Sequence, residues 1–248
     1  EINSNAHADV FGGKSTLGTT GETLKNKLTL KTGASVTNAV AGDTQTANGT
    51  ATGNTVKIEA GTATNAVGGK TLAGKASGNT AEAAGGNVTN LKGAESTSGL
   101  VQENHAKITA GTVDTAVGAE STNGAAAGND VTITGGTVTN AMGAHTTLAG
   151  DATENHAVIS GGTVTGNVYG AALTAVAATK NAEENGVSIS GGTVTGNIYG
   201  SAVLDAGASG KAAKSSVSIS GGAITGDVFG GFTGGTGDAG ENTVEITG

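Results

Sequence analysis

The chain has 248 residues, with 46 Gly, no Pro, no Cys, no Trp and a formal charge of −8. Its twelve basic residues are all Lys, so the guanidinium forks and aromatic platforms of nucleic-acid binding are missing. Without Cys there is no disulfide or thiolate metal site, and no apolar run approaches the roughly 20 residues of a membrane-spanning helix.

One phrase recurs along the whole chain: an Asn, a short alternating strand, a Gly turn, a Val-Thr pair, then a Val or Ile before further Gly. The second apolar position of the first strand falls at Ile2, Leu30, Ile58, Ala83, Ile108, Ile133, Ile159, Ile189, Ile219 and Ile246, at intervals of 25 to 30 residues. In Val131-Thr-Ile133-Thr and Val187-Ser-Ile189-Ser, apolar and hydroxyl residues alternate, which points one face inward and the other out. After the Gly turn a second strand places Val36, Ala63, Val88, Val113, Val138, Val164, Val194 and Ile224 inward. A third strand is expected to bury Val10, Val40, Val67, Leu91, Val117, Met142, Val168, Ile198 and Val228.

A repeat of this length made of strands and Gly turns specifies an all-β parallel β-solenoid, one domain over 1–248, with about nine coils and three short strands per coil. At about 4.8 Å per coil the rod is roughly 43 Å long. The fixed phase of Val and Ile argues against the disorder that so much Gly, Thr and Ala would otherwise suggest. Length varies in one phase only, as in Lys70 to Gly78 and Ala172 to Glu184, so the insertions are expected as loops on one side of the rod.

The most regular polar position is the Asn before the first strand: Asn26, Asn54, Asn79, Asn104, Asn129, Asn155, Asn185 and Asn242, with Ser215 in the remaining coil. Asn tolerates the left-handed backbone of a corner, and stacked amides form a ladder along the rod. This is read as a structural ladder rather than a row of ligand-binding amides. Of the four His, His105 and His156 share the context Glu-Asn-His-Ala but lie two coils apart with Asp130 between them, too far apart to share a zinc ion. Gly234-Gly-Thr-Gly-Asp238 lacks the Asp position and tandem recurrence of a calcium nonapeptide. The carboxylates are scattered, with no pair set for glycoside hydrolysis. No catalytic residue, metal or cofactor is expected. The Thr-x-Thr segments at Thr62, Thr137, Thr163 and Thr193 resemble the arrays of ice-binding solenoids, but the column breaks at Ser35, Asn87, Asp114 and Ala223.

The stretches Ser160-Gly-Gly-Thr-Val-Thr-Gly-Asn-Val-Tyr-Gly170 and Ser190 to Gly200, with Ser220 to Gly231 carrying Phe229 in the aromatic place, resemble the repeats in passenger domains of bacterial autotransporter adhesins. The resemblance implies a right-handed β-helix carried to the outer cell surface by a barrel, and no functional residues transfer with it. The expected function is therefore a non-catalytic extracellular rod, structural or adhesive, whose partner is a host or neighbouring-cell protein or glycan. Two alternatives are ice binding and a self-assembling fibre. The start at Glu1 without Met reads as a processed product or fragment, and both ends fall in the same phase of the same strand. Glu1, Ile2, Val244 and Ile246 are accordingly the candidates for an end-to-end contact between copies.

Overall fold

The computed structural model describes residues 5–174 and 179–247; Glu1 and Ile2 lie outside them. The described chain winds as a parallel β-solenoid of about nine coils in which every strand pairs with its equivalent in the next coil. First strands such as Thr55–Ile58, Asp130–Ile133, Gly186–Ile189 and Ser216–Ile219 stack in register. Leu30, Ile58, Ile108, Ile133, Ile159 and Ile189 become one fully buried column. Each such side chain contributes about 2–3 kcal/mol relative to exposure, and the β-branched shape of the Ile members suits the pleat.

The three strands join differently along the rod. In two of the 25-residue coils they run together as single bent strands, Thr80–Ser96 and His105–Ser121, whereas in the coil before them Thr55–Ile58 stands apart from Thr62–Thr71. From Thr163 onward an extra Gly breaks the second strand from the third, giving Thr163–Val164 and then Val168–Leu173. A Cβ at Gly166 would lie 2.6 Å from the Thr139 carbonyl oxygen and from Asn140 Oδ1, so that corner admits only Gly.

The third inward column differs from expectation by one residue in four coils. Val10, Leu91, Val168, Ile198 and Val228 do face the core, but their partners there are Ala39, Ala66, Ala116 and Ala141. Val40, Val67, Val117 and Met142 stand one residue further on, in the outward column of Phe11, Lys92, Tyr169, Tyr199 and Phe229. A one-residue slip in register moves a side chain to the opposite face.

The length-variable segments also hold more than loops. Glu22–Leu24, Thr50–Thr52, Ala76–Ser77, Val101–Gln102, Ala126–Ala127, Ala152–Thr153, Ala182–Glu183 and Ala212–Ala213 stack as a separate eight-stranded parallel sheet. Its inward residues, from Ala51 and Ala76 to Ala182 and Ala212, build a second small-residue core against Ala94, Ala119, Ala144 and Ala171.

Candidate ligand-binding face

The expected Asn column is the seam between the two sheets. Asn54, Asn79, Asn104, Asn129 and Asn155 are fully buried. Asn54 Nδ2 donates to Asn79 Oδ1 at 3.0 Å and to the Thr23 carbonyl at 2.9 Å, while its backbone N–H donates to the same Asn79 Oδ1. The pattern repeats at Asn79, Asn104, Asn129 and Asn155. Both amide hydrogens and both Oδ1 lone pairs are thus spent inside the protein, leaving nothing for a ligand. At Ser215 the shorter side chain is helped by Ser201, whose Oγ lies 2.6 Å from Ser215 Oγ and accepts from Asn185 Nδ2 at 2.9 Å. The left-handed corner belongs to the residue before the ladder, not to Asn. Lys25, Glu103, Glu154, Glu184, Lys214 and Glu241 have φ between 52° and 59°, and Gly53, Gly78 and Gly128 fill the same place.

The richest chemistry lies on the outward face of the third strand, which sequence reasoning passed over. Its first column is a second amide row: Asn38 Nδ2 donates to Asp9 Oδ1 at 2.6 Å, Asn65 to Asn38 at 2.7 Å and Asn90 to Asn65 at 2.9 Å. Thr115 interrupts it, and Asn140, Asn167 and Asn197 resume it, accepting the backbone N–H of Asn167, Asn197 and Asp227. The signal was available in the sequence, since Asn recurs at the coil interval, but the extra Gly166 shifts its phase.

Two columns further on lies a chain of charges that crosses several coils. Glu95 bridges Lys70 at 2.8 Å and Lys92 at 2.9 Å, and Lys92 also reaches Glu120 at 2.8 Å. His145 Nδ1 sits 3.2 Å from the other Glu120 oxygen and its Nε2 2.8 Å from Thr174 Oγ1. Since a carboxylate only accepts, Nδ1 is the donor. Burial alone would pull Lys92 down, but Glu95 and Glu120 overcome it and hold its pKa above the ordinary value. Burial likewise favours a proton on Glu120, yet the His145 hydrogen bond and the Lys92 ammonium lower it to about 2. Glu95 is lowered against its burial by Lys92 and Lys70. Carboxyls held ionised in this way have no proton to offer as general acids at neutral pH.

Toward the C-terminal coils the same face turns aromatic. Tyr169 and Tyr199 stack at 4.8 Å between centroids, and Tyr199 and Phe229 at 5.0 Å, with Phe232 against their edges. Asn167 and Asn197 donate to the two phenol oxygens, and burial raises the Tyr169 pKa. The rings cover one another's faces, so the stack fills the corner rather than offering a platform.

The remaining candidates are dispersed. His105 Nδ1 pairs with Asp130 at 2.7 Å, a hydrogen bond that raises the His105 pKa, and His156 follows Asp130 in the same column. Among the described residues no group of three His, Cys, Asp or Glu is placed to hold a metal ion, and no helix is long and apolar enough to cross a membrane. The Thr column runs Ser35, Thr62, Asn87, Thr112, Thr137, Thr163, Thr193, Ala223. In its companion row Thr195 and Thr225 donate to carbonyls of the preceding coils. Val244 and Ile246 lie on the last strand, 43% and 60% exposed, paired on one side with Ser216–Ile219. Comparison with known proteins gave no matching family model, curated protein or solved structure.

Proposed function

We propose that this chain is a non-catalytic rod of a bacterial surface protein, working outside the cell as the passenger domains of autotransporter adhesins do. The observation that carries the reading is the satisfied amide ladder. With two apolar cores it holds a long regular shape, while distinctive chemistry is confined to outward faces. The Gly-Gly-Thr-Val-Thr-Gly-Asn segments at 161–167 and 191–197, with the related Gly-Gly-Ala-Ile-Thr-Gly-Asp at 221–227, supply the likeness to that family. The test is adhesion of the purified chain to host cells, beside a variant whose 147–151, 174–181 and 204–211 segments are trimmed to the length of 97–100. Loss of binding places recognition in those segments. Binding that survives the trimming moves it to the strand faces, and no binding by either chain overturns adhesion.

Ice binding is the weaker reading, because the Thr rows are interrupted and two of their hydroxyls are already committed to carbonyls; zero thermal hysteresis is expected. The exposed Val244 and Ile246 edge favours a coil of another copy docking there. Filaments abolished by Ile246→Pro would establish stacking between copies, and a monomer at high concentration in light scattering would exclude it.

A further inference from the structure

The two amide rows differ in what they leave unspent. Each buried rung uses all its donors and acceptors. Each rung of the outward row, Asn38 and Asn65, spends one amide hydrogen on its neighbour and accepts one hydrogen bond at Oδ1. One donor and one acceptor therefore remain per coil, facing outward on half-buried residues.

These rungs form one wall of a groove of about 450 Å³ that runs along the rod. Val40 and Val67 make its floor, and Asp43, Lys70 and Glu95 its other wall. The far wall is internally neutralised: Lys14 lies 3.4 Å from Asp43 and Lys70 2.8 Å from Glu95. An apolar floor with a few convergent polar groups is the ordinary composition of a ligand site.

We propose that this groove binds a linear, uncharged pyranose polymer lying parallel to the rod axis, a proposal that rests on the surface-rod reading. Three features select that occupant. The unspent donor–acceptor pair of each rung matches the edge of a pyranose ring, whose hydroxyls both donate and accept. The far wall's charges are paired with one another, and the near wall's one carboxylate, Asp9, accepts from Asn38, so an anionic ligand gains no uncompensated partner. The groove's two rungs, Asn38 and Asn65, are equivalent positions of adjacent coils, about 4.8 Å apart, whereas an extended peptide advances about 3.3 Å per residue and falls out of step. A pyranose ring linked through opposite corners advances by nearly the coil spacing, so successive sugars meet successive rungs.

The test is calorimetric titration of the whole chain with cellohexaose, mannohexaose and chitohexaose, and with an extended neutral hexapeptide. At least one hexasaccharide binds, more tightly than its disaccharide, and the peptide does not. The double variant Asn38→Thr/Asn65→Thr weakens binding roughly tenfold, the loss expected for two hydrogen bonds. Thr115 already occupies that column, so the fold accommodates the change, and an unaltered melting temperature verifies it. Thr139→Ala, on another face, leaves binding as it was. The proposal is overturned if no hexasaccharide binds at millimolar concentration, if the double variant binds like the parent, or if the peptide competes equally. Adhesion to cells that persists in the double variant removes the groove and leaves the surface-rod reading standing. Sugar binding without adhesion does the reverse.

Discussion

At the scale of single residues, the corner before each ladder Asn is where the sequence is least settled. Nine coils share one left-handed position, and only Gly53, Gly78 and Gly128 meet it without a Cβ. The left-handed region costs a side-chain-bearing residue about 1 kcal/mol or more. Glu154→Gly is therefore expected to raise stability by about 1 kcal/mol, less the extra freedom Gly gives the unfolded chain. At Gly78 no atom lies within 4 Å of the place a Cβ would take, so Gly78→Ala isolates the backbone cost and should lower stability by a similar amount. Denaturation midpoints in urea check both; equal midpoints would mean the corner relaxes. The ladder itself is less forgiving. Asn104→Ala removes two amide donations and strands the Asn79 N–H and one Asn79 Nδ2 hydrogen. A loss of about 3 kcal/mol is expected, read as faster hydrogen exchange in the flanking coils.

At the scale of strands, legibility followed what each strand contains. The first strand was readable because a large apolar residue alternates with Thr or Ser and a fixed Asn precedes it, so phase is marked at both ends. The third strand was readable in Val10, Leu91, Val168, Ile198 and Val228 but not in the four coils where the buried residue is Ala39, Ala66, Ala116 or Ala141. Counting back from the Gly picked the larger neighbour, Val40 or Met142, on the opposite face. The second sheet was not legible at all: two-residue strands such as Ala126–Ala127 carry no period, and only tertiary packing makes them strands. The charge chain was hidden for a related reason, since Lys92 sits in a column otherwise held by Val, Met and aromatic residues. That placement makes acid stability testable. Glu120 titrates near 2 when folded, against 4.5 for the ordinary carboxyl, so its stabilisation is complete above about pH 4.5. It is lost as pH falls toward 2, an effect on the order of 3 kcal/mol. Glu120→Gln should flatten the melting temperature over that interval and lower it at neutral pH. A parent and variant with parallel acid profiles would assign the acid sensitivity elsewhere.

At the scale of the molecule, a solenoid whose coils touch only their neighbours behaves as a stack of interchangeable layers. The coil from His105 to Asn129 has 25 residues and begins and ends in phase with its neighbours. Its excision joins Asn104 to Asp130, the same step that Asn129 to Asp130 makes in the parent. The columns then close by substitution of equivalents: Ile133 meets Ala83, Asn155 receives the Asn104 amide, and His145 arrives opposite Glu95 in place of Glu120. Removing one layer also removes the Glu120 carboxylate, so the shortened rod should lose part of the acid-sensitive stabilisation while keeping the Lys92–Glu95 pair. The expected product is folded and about 4.8 Å shorter along its axis, with an unchanged β signature in circular dichroism and a modestly lower melting temperature. Cutting out only the first half of that coil instead sets first strands against second strands and turns Val and Ile columns to solvent, and that chain should not fold. A folded half-coil deletion, or an unfolded whole-coil deletion, would mean that the rod is not held by register between adjacent layers.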